Sequence, residues 1–252
     1  VRPSRRALLA AGLAAPGLAS AQAFAPPAPA PAAAPPNAEE EARLRTDWPF
    51  LQRYAADNPI DAALPAERRR VVFIGDSITQ GWRDFHPAFF ADHGFIGRGI
   101  GGQVTAQMLV RFWPDVVALK PMAVHILAGV NDIAQNAGPY DPAATRANLL
   151  AMIALAQANG VRVVLGTVTP VAEFPWKPGL GPSAKVAELN AWLRAQSRQS
   201  GATLADYTAV LDDGRGGMRP GLAYDGVHPT REGYGEMEPV ALAAVAAALA
   251  EV

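Results

Sequence analysis

Four stretches of the chain are almost unbroken in their apolar character: Val71-Val72-Phe73-Ile74, Met122 to Leu127, Val161 to Val168, and the shorter Phe95-Ile96. A strand with one wet face alternates apolar and polar residues, so unbroken runs predict strands covered on both sides, as in a parallel sheet. Between these runs the spacing changes to that of helices. Val104, Met108 and Phe112 recur every four residues, and Asp141-Pro142 opens a helix through Leu149 and Ile153 that Asn159-Gly160 ends. Further helices are predicted over Ser183 to Ser200, stopped by Gly201, and over the Ala-rich stretch Glu236 to Val252. A short one is expected at Asp47 to Asp57, with Pro49 in its first turn and a break at Asn58-Pro59. Strands alternating with helices predict a three-layer α/β/α sandwich around a central parallel sheet.

The residues before this pattern read differently. Arg5-Arg6 precedes thirteen residues, Ala7 to Ala19, made only of Ala, Leu, Gly and Pro, and small-x-small cleavage options follow at Ala21 to Ala25. This is the layout of a twin-arginine export signal over 1–25, too short and too often interrupted to span a bilayer. Six prolines in the eleven residues Pro26 to Pro36 predict a Pro/Ala linker over 26–38. One folded domain is expected over 39–252, exported to the periplasm or secreted, with no stable membrane anchor.

Composition narrows the chemistry. Half of the 252 residues are apolar and 18% are charged, which supports a sizeable core and excludes wholesale disorder. Zero cysteines exclude thiolate nucleophiles, disulfides and Cys-ligated metals. Net charge is −1, and setting aside the three arginines of residues 1–38 leaves −4 for the rest, the wrong sign for a surface that tracks phosphates. Nucleic acid is therefore not an expected partner.

Sites in open parallel sheets form beyond the carboxyl ends of the strands. Gly75-Asp76-Ser77 follows the first run, Gly97 to Gly102 follows Phe95-Ile96, and Gly129-Val130-Asn131-Asp132 follows the Met122 run. Asp225-Gly226-Val227-His228-Pro229 precedes the last helix. Each supplies a different part of one reaction. Ser77 is a nucleophile once a base takes its proton; His228 is that base, and Asp225, three residues earlier, orients its imidazole. The Ser77 N–H, the Gly102 N–H and the Asn131 amide are donors for a developing oxyanion. Asp76 and Asp132 are expected to brace their loops, and His125, inside an apolar run, to be a hydrogen-bonded core residue. His86 and His93 lack the partners of a metal site.

These four blocks together resemble the SGNH hydrolases, also called GDSL esterases and lipases, whose signature Ser, Gly, Asn and His match Ser77, Gly102, Asn131 and His228, with Asp225 in the Asp-x-x-His position. The resemblance covers the chain from about Arg70 onward. It implies a flavodoxin-like fold and hydrolysis of acyl esters through an acyl-serine, with no metal and no cofactor. The chain departs from close members at Gly97-Arg98-Gly99, where they read Asn-Arg-Gly, and at Val104-Thr105, where they carry a Thr pair.

Two rivals from other classes share these residues. Gly97, Gly99 and Gly102 satisfy the dinucleotide fingerprint G-x-G-x-x-G, although the next acid, Asp115, comes 13 residues later instead of about 20. A non-catalytic binding protein on the same fold is the other. On substrate, the Pro-rich segment Pro170 to Pro182 brings Phe174 and Trp176 after a strand, and Trp176 is read either as a wall for a sugar ring or acyl group or as a cover for the domain's own edge. The absence of a long insertion for a lid predicts a shallow site and short acyl groups, acetyl first. Small-molecule and carbohydrate esters are the expected substrates, with lysophospholipid and thioester hydrolysis as alternatives on the same machinery.

Overall fold

The computed structural model of the chain describes residues 38–250. The expected export signal and, apart from Ala38, the linker lie outside the described residues.

Five parallel strands form the sheet: β1 (Val71–Gly75), β2 (Phe95–Gly99), β3 (Ala123–Leu127), β4 (Arg162–Gly166) and β5 (Thr203–Ala205). Their order is β2-β1-β3-β4-β5. β1 and β3 are buried along their whole length, as their apolar runs require, and so is β2, whose Arg98 is buried with Asn58 and Asp61 as partners. Helices α3 (Ser77–Phe85) and α4 (Pro87–His93) lie between β1 and β2, α5 (Thr105–Asp115) between β2 and β3, α7 (Pro142–Ala158) between β3 and β4, and α8 (Pro182–Ser200) between β4 and β5. α10 (Arg231–Ala250) closes the described chain and packs on β3, β4 and β5. Short helices α6 (Val130–Ile133) and α9 (Thr208–Leu211) follow β3 and β5, and α1 (Ala38–Thr46) and α2 (Asp57–Ala62) precede β1.

The chain steps from β1 outward to β2, then back across β1 to β3 and on to β5. That reversal is the switch point at which a parallel sheet opens a crevice. Register places Gly75 opposite both Gly99 and Leu127, so the segments after β1, β2 and β3 emerge at one level. On one face Trp82 of α3 stacks on Phe89 and Tyr234, at centroid distances of 5.3 and 5.8 Å, and meets Phe73 of β1 edge-on. The Tyr234 hydroxyl donates to the Ile78 carbonyl, joining α10 to the helix that carries Ser77.

Several expectations need correction. The helix expected over Asp47 to Asp57 is absent: Phe50 is left-handed (φ 58°), residues 51–53 make one 3-10 turn, and the helix runs Asp57–Ala62 with Pro59 inside it. The Asp47 carboxylate takes the Leu51 and Gln52 N–H groups and so stabilises a turn. Pro59 sits in the first helical turn, where its missing N–H costs nothing. The last helix starts at Arg231 instead of Glu236, because the Thr230 hydroxyl accepts the Gly233 N–H as an N-terminal cap. β5, three residues long, carries too little pattern to be seen in sequence. Finally, β2 runs through Gly97 and Gly99, so two of the three fingerprint glycines lie within a strand and not in a phosphate loop. A Cβ at Gly99 would fall 2.1 Å from the Gln80 nitrogen: the glycine is there to let α3 lie against β2.

Candidate active site

Gly75 ends β1 under tight packing, since a Cβ there would lie 2.1 Å from Thr79 Oγ1 and 2.7 Å from the Leu127 carbonyl oxygen. The chain turns at once into α3. Asp76 caps that helix by accepting the Ile78 N–H at 2.9 Å, so Ser77 is its first residue and its N–H belongs to the helix terminus.

Ser77 Oγ lies 2.8 Å from His228 Nε2, and His228 Nδ1 lies 2.7 Å from Asp225 Oδ2. The short Asp-Gly-Val-His loop produces this by itself. Oδ1 of Asp225 accepts the Val227 and His228 N–H groups at 2.9 and 2.8 Å, which leaves Oδ2 facing the ring. The loop is closed by Tyr224 N–H donating to the His228 carbonyl. Burial tends to raise the Asp225 pKa, but the bonds from the His228 side chain, the His228 N–H and the Val227 N–H outweigh it, and the carboxyl ends below its ordinary value. It stays ionised opposite the imidazole.

The donor side is assembled from the next two loops. Gly102 turns the chain after β2 with φ 75°, a conformation that glycine adopts without strain. Asn131 is buried on α6 and donates from Nδ2 to the Gln103 carbonyl at 3.1 Å, while its Oδ1 accepts from Asn136 Nδ2 at 2.8 Å. Those two bonds set which end of the amide faces the Gly102 loop. Asn136 is a positioning residue that sequence reasoning missed: an exposed loop asparagine leaves no pattern. Asp132 receives the Thr105 N–H and hydroxyl and the Thr145 hydroxyl, tying α6 to α5 and α7 as a brace.

Two aromatic rings flank His228. Tyr224 stacks on it at 5.5 Å and 12°, and Trp176 lies 6.0 Å away at 35°, backed by Phe174. Trp176 therefore stands beside the imidazole. Tyr224 was missed, being one tyrosine in a loop. Lys177 holds the Trp176 segment by donating to the carbonyls of Ala134 and Gln135.

Beneath the loops, the wholly buried Arg111 donates to the Gly75 carbonyl (2.9 Å), to Gln103 Oε1 (2.6 Å) and to Asp115 (3.0 Å). One guanidinium thus joins the turn before Ser77 to the residue after Gly102. The other histidines lie elsewhere. His86 pairs with Glu238, His93 bonds the Phe89 carbonyl, and His125 is fully buried against Tyr207 (2.6 Å), where burial pushes its pKa down to about 3 and keeps it neutral.

Burial raises the Asp76 pKa to about 6, with the Ile78 N–H and His228 pulling the other way. Because the folded value lies above the unfolded one, this group's contribution to stability is full below pH 3.8 and is lost as pH rises through about 6. Asp76→Asn keeps an oxygen for the Ile78 N–H and removes the charge. Its unfolding free energy, compared with wild type by urea titration from pH 4 to 7, should gain on the order of 2 kcal/mol relative to wild type across that interval. Parallel curves would mean that Asp76 does not titrate there.

The comparisons with known proteins show the family and the fold. A family model described as the GDSL-like lipase/acylhydrolase family matches residues 73–235. A GDSL-like lipase from Bacteroides thetaiotaomicron VPI-5482 is 40% identical, with 81% of this chain and 100% of that one covered and a TM-score of 0.77. A structure from Bacteroides fragilis NCTC 9343 is 44% identical, covering 81% and 99% with a TM-score of 0.76. The uncharacterized lipoprotein YqeF of Bacillus subtilis (strain 168) is 32% identical over 120 residues, 41% of this chain and 49% of that protein. The match thus spans about half the length of that curated relative.

Proposed function

Since the chain belongs to the GDSL-like lipase/acylhydrolase family and is a serine hydrolase acting on ester bonds, we propose that Ser77 is its nucleophile, His228 its acid-base and Asp225 the group that orients His228. The observation that carries this is the unbroken hydrogen-bonded line from Ser77 Oγ through the imidazole to the Asp225 carboxylate. His228 Nε2 takes the hydroxyl proton as Oγ bonds to the ester carbonyl carbon, and the carbonyl oxygen becomes the oxyanion. The N–H groups of Ser77 and Gly102 and the Asn131 amide stabilise that charge. Collapse breaks the bond to the alcohol oxygen, which leaves with the proton from Nε2; water, deprotonated by the same nitrogen, then releases the acyl group from Ser77. Asp225 keeps Nδ1 protonated and stabilises the imidazolium without taking its proton.

The reading extends to short acyl groups, acetyl first. Its support is that two rings, Trp176 and Tyr224, lie against His228, with the Trp176 segment pinned through Lys177 to the carbonyls that follow α6. p-Nitrophenyl esters of increasing chain length test it: kcat/KM should be highest for acetate and fall by about tenfold or more at octanoate. A preference for octanoate would overturn the short-chain assignment. Trp176 enters the proposal as a substrate wall on the strength of its position beside His228.

Export belongs to the same proposal, with a twin-arginine signal over 1–25, a linker over 26–38 and the hydrolase domain over 39–252. The Arg5-Arg6 run supports it, as does the likeness to a lipoprotein. Among the described residues no helix is long and apolar enough to cross a membrane.

A further inference from the structure

On the Gly102 side of Ser77, away from Tyr224 and Trp176, the surface opens into a cleft of about 850 Å³ whose floor is Gln80 and Ile100 to Gln103. That is within the range of small-molecule sites and far larger than an acetyl group needs. The floor runs close to the helix start that carries Ser77: a Cβ added at Gly101 would sit 3.8 Å from Ser77 Cβ, and the Gly101 N–H donates to Gln80 on the same helix.

Its outer wall comes from α1 and the turn after it, with Arg43, Trp48, Phe50 and Arg53 lining it. This wall is held at several points. Gln107 donates to the Trp48 carbonyl at 2.8 Å and Gln103 to the Pro49 carbonyl at 2.7 Å. Phe50 is kept left-handed, a costly conformation for an aromatic residue that persists only where its surroundings over-determine it. The Arg43 guanidinium lies 4.4 Å over the Phe50 ring. The strained residue and the clamps act on the same few residues, and Gln103, which grips the wall, also receives Arg111 and presents its carbonyl to Asn131.

The lining chemistry restricts the occupant. Glu39 and Glu40 stand with Arg43 and Arg53, so formal charge is balanced and neither an anion nor a cation is favoured. Side-chain amides and guanidinia make the cleft too polar for an alkyl chain, yet the exposed Trp48 offers a flat apolar face beside the Phe50 ring that Arg43 covers on one side. A neutral ligand rich in hydroxyls, with C–H faces for the rings, fits both features. We propose that this cleft is a subsite for the neighbouring rings of an acylated glycan, so that the substrate class is a carbohydrate chain carrying short acyl esters. This rests on the esterase reading of Ser77 given above.

The test compares wild type with Trp48→Ala, a substitution that leaves the Trp48 carbonyl and its bond to Gln107 in place. Partially acetylated xylotetraose and p-nitrophenyl acetate are the two substrates. Trp48→Ala should lower kcat/KM about tenfold on the tetrasaccharide and change it less than about twofold on p-nitrophenyl acetate. Equal losses on both, or no loss on either, would overturn the subsite. Calorimetric titration of unacetylated xylotetraose into Ser77→Ala, with and without Trp48→Ala, reads the cleft without catalysis: binding weakened by Trp48→Ala supports the proposal, and no binding overturns it. Failure of wild type to hydrolyse p-nitrophenyl acetate would instead count against the esterase reading. Arg53→Ala, an exposed change, replaces Trp48→Ala if that variant does not fold, with the same outcomes.

Discussion

Ser77→Ala should lower kcat/KM for p-nitrophenyl acetate by about 10⁴-fold or more while leaving the protein folded. The substitution removes the oxygen proposed to form the acyl bond, and among the described residues no other hydroxyl is hydrogen-bonded to His228. What survives is the help that the donors at Ser77, Gly102 and Asn131 give to direct attack by water, which in serine hydrolases remains measurable without the nucleophile. Because nucleophile and base act as one unit, Ser77→Ala/His228→Ala should be little worse than either single variant. Among the described residues the Ser77 side chain makes one hydrogen bond, to His228, so its loss should cost about 1 kcal/mol of stability, read as a small shift in Tm. A variant retaining a tenth of wild-type turnover would place the nucleophile elsewhere.

Arg111→Met carries the largest expected effect on stability. The guanidinium is fully buried, and burial lowers its pKa against the pull of Asp115. Taking the cation away leaves the buried Asp115 carboxylate, among the described residues, with Asn58 Nδ2 as its one hydrogen-bond partner, and removes one donor each from the Gly75 carbonyl and Gln103 Oε1. Removing one partner of a buried ion pair costs roughly 3–5 kcal/mol, and urea unfolding should show a loss of that size. Arg111→Met/Asp115→Leu should recover part of it, since an apolar pair of similar volume leaves no lone charge. Turnover should fall as well, because the same guanidinium holds Gly75 and Gln103, on either side of the reacting centre. A loss under about 1 kcal/mol would mean that the pair is not closed off from water.

The site was legible because its residues sit at places that the apolar pattern itself marks. Ser77, Gly102 and Asn131 each follow a strand, so recognising the strands already lines up the three loops, and the Asp225-His228 pair is local in sequence. The same pattern misread the segment before β1. A helix is expected over residues 47–57, but the conformation of this stretch and of the residues after it is decided by the Asp47 carboxylate and by partners far along the chain. Asn58 bonds Asp115 and Arg98, and Tyr54 bonds the Gly99 carbonyl. Tyr224 and Asn136 escaped for a related reason: each is a single polar or aromatic residue in a loop, and its role exists only through what it touches.

Sequence by itself determined the four longer strands with their intervening helices, the parallel sheet and the family, and it singled out the residues proposed as nucleophile, base and donors, because hydrophobic periodicity and short motifs act over a few residues. Tertiary structure alone decided that Gly97 and Gly99 belong to a strand packed under α3, that Arg111 ties two loops together, and that α1 and a strained Phe50 wall a cleft beside Ser77. Those features arise from contacts between segments tens of residues apart, where close packing and the pairing of buried polar groups override local preference.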